Sequence, residues 1–247
     1  MSPKQLAEQA IQELKRAGDP RVAAGARNYF KAYEDVDFFG VKTPSVRQIE
    51  RNLYQKIRGD WRITDAISFC DILIKQQELE AKNTGIFLLA RYKKSFDKGL
   101  LQKVESWLDG NYCSDWASTD ALSTTIIASL VEHHPQLIAR LKAWTRKRNL
   151  WLRRAAAVGM LCYARRGERL DDVYIIAESL CKYPEDLIHK AAGWLLRDAG
   201  KADAKRLETF LLDNGQHIPR TTLRYAIERF TPVKRKMLLE KTKFFGN

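Results

Sequence analysis

Apolar residues recur at three- and four-residue steps in segment after segment of this chain, as in ITDAISFCDILI (63–74), TGIFLLARY (84–92), TTIIASLV (124–131), AAAVGMLCYA (155–164) and AAGWLLRDA (191–199). That period lays one apolar stripe along an α-helix. Between the stripes stand clusters of Gly, Pro, Asn and Asp that end helices and open turns: AGDP at 17–20, DGN at 109–111, HHP at 133–135, YPED at 183–186 and DNG at 213–215. With a mean helix of ~11 residues, the pattern predicts about thirteen helices and no strand. The N-terminal segment MSPKQLAEQAIQELK reads as an amphipathic helix capped by Ser2 with Pro3 in its first turn. FFGVKTP (38–44) reads as a turn into the helix SVRQIERNLYQKI. His133 and His134 precede Pro135 at a helix end, where they can satisfy terminal carbonyls.

The helices repeat as units. KNTGIFLLARY, RAAAVGMLCYAR, KAAGWLLRDAG and RYAIERF each place a basic or polar residue before a small-residue patch and an apolar stripe, at intervals of 34 to 36 residues over Arg154, Lys190 and Arg224. This is a helix-pair period, slightly short of the ~40-residue HEAT and armadillo repeats and without the tetratricopeptide signature residues. A helix pair buries its apolar face only against its neighbours, so the expected fold is all-α, an α-α superhelix of HEAT-like repeats with one concave surface. No low-complexity linker separates two halves, and residues 1–247 are read as a single domain.

Composition narrows the class. A chain of 247 residues with 45% hydrophobic and 30% charged residues can bury a core without staples, is not a disordered polymer, and has no apolar run of membrane-spanning length. Its N-terminus interleaves charges with apolar residues and does not read as a secretory signal, which predicts a cytoplasmic protein. Cys70, Cys113, Cys162 and Cys181 form no CxxC pair, and the four histidines form no HExxH cluster. Neither a disulfide framework, nor a metal, nor another cofactor is called for. The formal charge is +13, with 43 Lys and Arg against 30 Asp and Glu, and the pI is about 9.6. Such a protein favours polyanions. Residues 1–139 hold 19 basic and 18 acidic side chains, while 140–247 hold 24 and 12, so the excess lies in the C-terminal part.

Candidate chemistry falls where the repeats line up. Trp116 and Asp120, in DWASTD, are four residues apart near a helix start, so indole and carboxylate share a face. Arg154, in NLWLRRAAA, is 38 residues beyond Trp116, and Trp194, in HKAAGWLLR, another 40, so one helix per repeat would present them side by side. Each has a structural alternative. A Trp in a helical repeat is commonly core, and Asp120 near an N-terminus can serve the helix dipole.

These segments, with ARNYFKAY and FFGVKTPSVR before them, resemble the DNA alkylation repair glycosylases known as the AlkD family, over roughly residues 20 to 230. Trp-x-x-x-Asp, NLWLRRAA and KAAGWLLR are specific in combination and in order. The resemblance implies a superhelix of HEAT-like repeats, a catalytic carboxylate at Asp120, site tryptophans at Trp116 and Trp194, and a DNA-backbone contact at Arg154. It also implies that Tyr29, in the Tyr-x-Lys segment, approaches DNA. Lys190 and Arg197, flanking Trp194, join Arg154 and Tyr29 as expected nucleic-acid contacts. The stretch from Tyr29 to Gly40 carries extra residues relative to the family pattern.

The implied activity is monofunctional excision of cationic N3- or N7-alkylpurines from double-stranded DNA by a monomer that associates with the nucleoid and engages no membrane. An alkylated purine is already a cationic leaving group, so one carboxylate suffices where O-glycoside hydrolysis needs an acid and a base. Asp120 would stabilise the sugar cation and hold water, the indoles would meet the cationic nucleotide, and Arg154 would hold the adjacent phosphate. The resemblance further implies that the base stays in the stack rather than being extruded. The rival from another class is a non-catalytic helical-repeat scaffold that binds nucleic acid or protein through the same basic groove.

Overall fold

The computed structural model describes residues 1–242. The chain packs as two compact units, Met1–His134 and Pro135–Asn247, divided at the HHP connection. Residues 135–139 carry no charge, so the step in charge along the sequence coincides with this division. Among the described residues sixteen α-helices form and there is no strand, only an isolated bridge between Asp37 and Glu78.

The first unit begins with α1 (Pro3–Ala17), whose Ser2 cap and Gln5 form a reciprocal capping box with Pro3 at the first helical position, as the sequence predicts. It buries Leu6, Ala7, Ala10 and Leu14 against the helices that follow. α2 (Pro20–Arg27) is capped by Asp19, and α3 (Thr43–Ile57) opens after the FFGVKTP turn. α4 (Ile63–Leu73) packs on α5 (Leu79–Ala90), which buries Glu80, Ala81, Lys82 and every residue from Thr84 to Leu89 and so forms the central helix of this unit. Gly85 permits that approach: a Cβ there would sit 3.1 Å from Leu73 Cβ and 3.3 Å from Cys70 Cα. α6 (Leu100–Asp109) and α7 (Trp116–Leu122) complete the packing, and α7 runs through a π-helical turn, Ser123–Ile127, into α8 (Ala128–His133).

The second unit holds α9 (Ile138–Trp144), α10 (Leu150–Val158), α11 (Leu161–Arg166), α12 (Leu170–Cys181), α13 (Asp186–Ala202), α14 (Ala204–Asn214), α15 (Arg220–Ala226) and α16 (Pro232–Lys241). Its centre is α13, which packs on α10, α11, α12, α14 and α15. The aligned repeat segments therefore do lie against one another within this unit. Gly193 shows why their small-residue patch recurs: a Cβ there would lie 2.4 Å from Tyr225 Cβ and 2.8 Å from the Thr222 carbonyl, so only glycine lets α15 seat on α13.

The helix count exceeds the thirteen or so predicted in part because two apolar segments are interrupted. AAAVGMLCYA divides at Gly159 and Met160 into α10 and α11. TTIIASLV carries the π turn, in which Ala128 N–H reaches back five residues to the Ser123 carbonyl. The hydroxyls of Ser123, Thr124 and Thr125 donate to the carbonyls of Thr119, Asp120 and Ala121 at 2.7, 2.7 and 2.6 Å. Three consecutive hydroxyls thus compete for the carbonyls of the ladder, a pattern that loosens and bends helices. α8 ends at His133 as predicted, with His133 Nδ1 2.7 Å from the Ser129 carbonyl and the His134 ring 3.1 Å from the Phe96 carbonyl.

Candidate catalytic and nucleic-acid site

The six tryptophans divide into two groups. Trp61, Trp107, Trp144 and Trp151 are core residues, none more than 8% exposed. Trp116 and Trp194, the two singled out by spacing and resemblance, are the half-buried pair. An indole kept partly in solvent gives up burial energy that the other four collect, so packing alone does not account for its position.

In the first unit, α7 presents Trp116 in its first turn and Asp120 one turn later, both half-buried. Capping is done by another carboxylate. Asp115, fully buried, accepts from Ser118 N–H at 2.7 Å and from the Ser118 hydroxyl, and lies 3.9 Å from the buried Lys82 ammonium. Asp120 is therefore not the cap, and the dipole role that the sequence left open for it belongs to Asp115. The π turn begins three residues after Asp120, and such turns recur at functional sites.

The segment from Tyr29 to Val41 folds against this helix start. Glu34, 1% exposed, accepts from the backbone N–H of Lys31 and of Trp116, each at 2.8 Å. Arg27 donates to the Glu34 carbonyl at 2.9 Å and to the Lys31 carbonyl at 3.3 Å. The Glu80 carboxylate accepts from three successive N–H groups, Phe39, Gly40 and Val41, at 2.9 to 3.0 Å. So tied, the segment stacks Phe30 on Trp116, with ring centroids 5.2 Å apart and planes at 19°, and sets Phe38 5.1 Å from Phe30. Tyr29, 79% exposed, and Trp116 both line a cavity of about 620 Å³ between α2, α3, α5 and α7.

In the second unit, α10 and α13 carry the remaining candidates. Arg154 is only 5% exposed and donates to the Leu187 carbonyl at 2.7 Å, so the cation expected at a DNA backbone is held rigidly at the first turn of α13. Lys190 pairs with Asp186 at 2.8 Å. The hydrogen bond that Lys190 donates to Asp186 raises its ammonium above its ordinary range, with Arg154 near enough to oppose the shift. Arg197 pairs with Glu228. Trp194 donates its indole N–H to Asp198 Oδ2 at 3.2 Å. Asp198 itself is 1% exposed and also takes Arg165 at 2.9 Å and Lys201 at 2.8 Å.

Sequence reasoning missed Phe30, Glu34, Asp115 and Asp198. For Asp198 a signal was present: Trp194-x-x-x-Asp198 repeats the spacing of Trp116-x-x-x-Asp120. For Glu34 there was none, because its partner Trp116 is 82 residues away. The structure brings Tyr29 and Trp116 to one cavity, Asp120 to the helix of Trp116, and Arg154, Lys190, Trp194 and Arg197 to the packed pair α10 and α13.

A family described as DNA alkylation repair enzyme matches residues 10–230. A solved structure from Enterococcus faecalis, described as a predicted DNA alkylation repair enzyme, superposes with a TM-score of 0.73 at 19% identity, over 87% of this chain and 97% of that one. At that identity the likeness speaks for the fold, and it supports the α-α superhelical repeat architecture. No curated protein matches by sequence. With 10–230 of its 247 residues matched, the chain belongs to the DNA alkylation repair enzyme family.

Proposed function

We propose that the protein is a monofunctional DNA glycosylase that hydrolyses the N-glycosidic bond of cationic N3- and N7-alkylpurines in double-stranded DNA, with the base left in the stack. The observation that carries this reading is the division of labour on α7. Asp115 caps the helix from a buried position, while Asp120 stands one turn beyond the half-buried Trp116. A carboxylate at that place suits a developing oxocarbenium ion and an attacking water, and the indole face suits a cationic nucleotide. Trp194 supplies the second indole. Arg154, buried on the Leu187 carbonyl, would have to turn outward to take the neighbouring phosphate, and Lys190, Arg197 and Tyr29 add contacts to the duplex. The protein acts as a monomer, and the basic second unit supplies most of the attraction for phosphate. Residence beside the nucleoid in the cytoplasm follows from that affinity. No helix among the described residues is long and apolar enough to cross a membrane.

The test is release of free base from matched duplexes carrying 7-methylguanine, 3-methyladenine, uracil or 8-oxoguanine. Excision of the two methylated purines and not of the two neutral bases is expected, because no protein acid is assigned to a leaving base. Release of a neutral base would mean that a proton donor acts, with His189, held 2.5 Å from the Tyr183 carbonyl, and Tyr29 the first to examine. Duplex binding with no release of any base would leave the scaffold reading.

A further inference from the structure

The stretch between α2 and α3 holds no helix and only the bridge at Asp37, a kind of chain that is ordinarily mobile at a surface. Here it is tied along its length. Arg27 donates to the carbonyls of Lys31, Glu34 and Val36, and the Ser114 hydroxyl donates to the Asp35 carbonyl at 3.1 Å. The Asp37 N–H donates to the Gln77 carbonyl, and the Asp37 carbonyl accepts from Leu79. One tie uses a buried carboxyl. Glu34 is 1% exposed, and burial of such a group is unfavourable unless its oxygens are met. Oε2 accepts from Lys31, inside its own loop, and Oε1 accepts from Trp116, the first residue of α7. The Trp116 N–H is among the donors that a helix start leaves without an intrahelical partner, and Asp115 serves a different one, that of Ser118. Glu34 therefore joins the residue after Phe30 to the residue that carries the indole.

The Phe30 ring lies on that indole, centroids 5.2 Å apart and planes at 19°, and Phe38 backs it at 5.1 Å. Water or a local hydroxyl would be enough for an N–H at a helix start. A carboxyl brought from 82 residues away does more, because its second oxygen fixes where Phe30 stands. We infer that Glu34 and Phe30 are positioning residues for Trp116: Glu34 holds the loop to α7, and Phe30 sets the plane of the indole and closes one of its faces to the nucleotide. With that face covered Trp116 is still only half-buried, so a nucleotide meets what remains of the ring surface. Attraction between a cation and an indole needs the cation over the ring within ~6 Å, so the plane of the ring decides where an alkylated nucleotide gains from it. Both residues act through Trp116 and not on the substrate, and the inference rests on the reading of Trp116 as a site residue.

The experiment labels the full chain with 5-fluorotryptophan and follows both the fluorine resonances and single-turnover release of 7-methylguanine from duplex DNA. Trp116→Phe identifies the Trp116 resonance among the six. Phe30→Leu keeps an apolar side chain and removes the stacking face, and Glu34→Gln keeps the shape but offers one acceptor oxygen where two N–H groups are bound. Both should move the Trp116 resonance and leave those of Trp194 and the four core tryptophans in place. Glu34→Gln should move it toward its position in Phe30→Leu, because the loop no longer holds Phe30 to the ring. Each is expected to slow release by about tenfold, within the ~10²-fold that a misplacement of ~1 Å can cost, with duplex affinity unchanged. The double variant should be no slower than Phe30→Leu, since both changes act through one ring. Phe30→Tyr, which keeps the stacking face, should recover most of the rate, and a thermal melt checks that each variant is folded. A Trp116 resonance unmoved by Glu34→Gln, losses that multiply to about 10²-fold in the double variant, or Phe30→Tyr as slow as Phe30→Leu overturns the inference. Release of no base by any form, wild type included, would instead defeat the glycosylase reading, and the Trp116 resonance would still decide whether Glu34 and Phe30 hold the ring.

Discussion

Trp194 donates its indole N–H to Asp198, four residues on along α13, and Asp198 is at the same time the acceptor for Arg165 and Lys201. One buried carboxylate therefore fixes the orientation of the half-exposed ring. Asp198→Ala should free the Trp194 side chain and lower excision, with about 2 kcal/mol lost from stability for the missing charged hydrogen bonds. Asp198→Asn keeps one acceptor and should recover part of the rate. Equal excision by wild type and Asp198→Ala, measured per folded molecule, would show that Trp194 needs no such support.

The two carboxylates of α7 should respond oppositely. Asp120→Asn is expected to reduce excision by ~10²- to 10³-fold, as for loss of one electrostatic stabiliser, with little change in melting. Asp115→Ala removes the cap and strands the buried Lys82, so it should destabilise by ~3–5 kcal/mol whatever the assay. Denaturant curves and single-turnover kinetics on both variants separate the roles. Wild-type turnover by Asp120→Asn would return Asp120 to a structural part.

Truncating the tryptophans should reproduce their division in burial. Trp144→Ala, in the core, is expected to cost ~3–5 kcal/mol. Trp116→Ala and Trp194→Ala should cost less and lower excision more. A Trp116→Ala protein that melts as early as Trp144→Ala yet retains its activity would place that ring in the core.

Duplex affinity should fall steeply with salt and depend on the second unit. Loss of about 10³-fold between 50 and 200 mM salt is expected for some six phosphate contacts. Replacing the exposed Arg146, Lys147 and Arg148, just before α10, by Gln should flatten the salt slope. The same change at the exposed Lys93 and Lys94 of the first unit should leave it unaltered. Fluorescence anisotropy at four salt concentrations reads both.

Acid should weaken the first unit through Asp71. Burial alone would raise this carboxyl, but the donors of Lys103, Lys75 and Trp107 hold it at about 2, below its ordinary 3.8. A carboxyl lowered by folding contributes stability above its unfolded value and loses it as pH falls through the folded one. The urea midpoint of wild type should thus exceed that of Asp71→Asn by a constant margin near neutrality, and the margin should close between pH 3.8 and about 2. A margin independent of pH would remove Asp71 from acid unfolding.

Much of this protein is written in local pattern. The helical class, the Ser2 cap, the turn before α3 and the end of α8 at His133 depend on residues within a turn or two of one another. The stacking of α13 on α15 was legible as well, since a small-residue patch that recurs with the repeat is how helices approach closely. The pairing of Trp116 with Asp120 is equally local, a matter of helical spacing.

What the tertiary structure decided are the questions that depend on distant partners. Six tryptophans look alike in sequence, and only packing separates Trp116 and Trp194 from the four in the core. Asp115 escaped the sequence reading, and backbone geometry assigns it the cap of α7. Arg154 is expected at a DNA backbone, yet its guanidinium lies buried on the Leu187 carbonyl. The cavity was invisible because Glu34 meets Trp116, and Glu80 meets Phe39, across 82 and 41 residues. Helical periodicity reports what each residue faces along its own axis, whereas burial and hydrogen bonding between segments so far apart are fixed only when the helices pack.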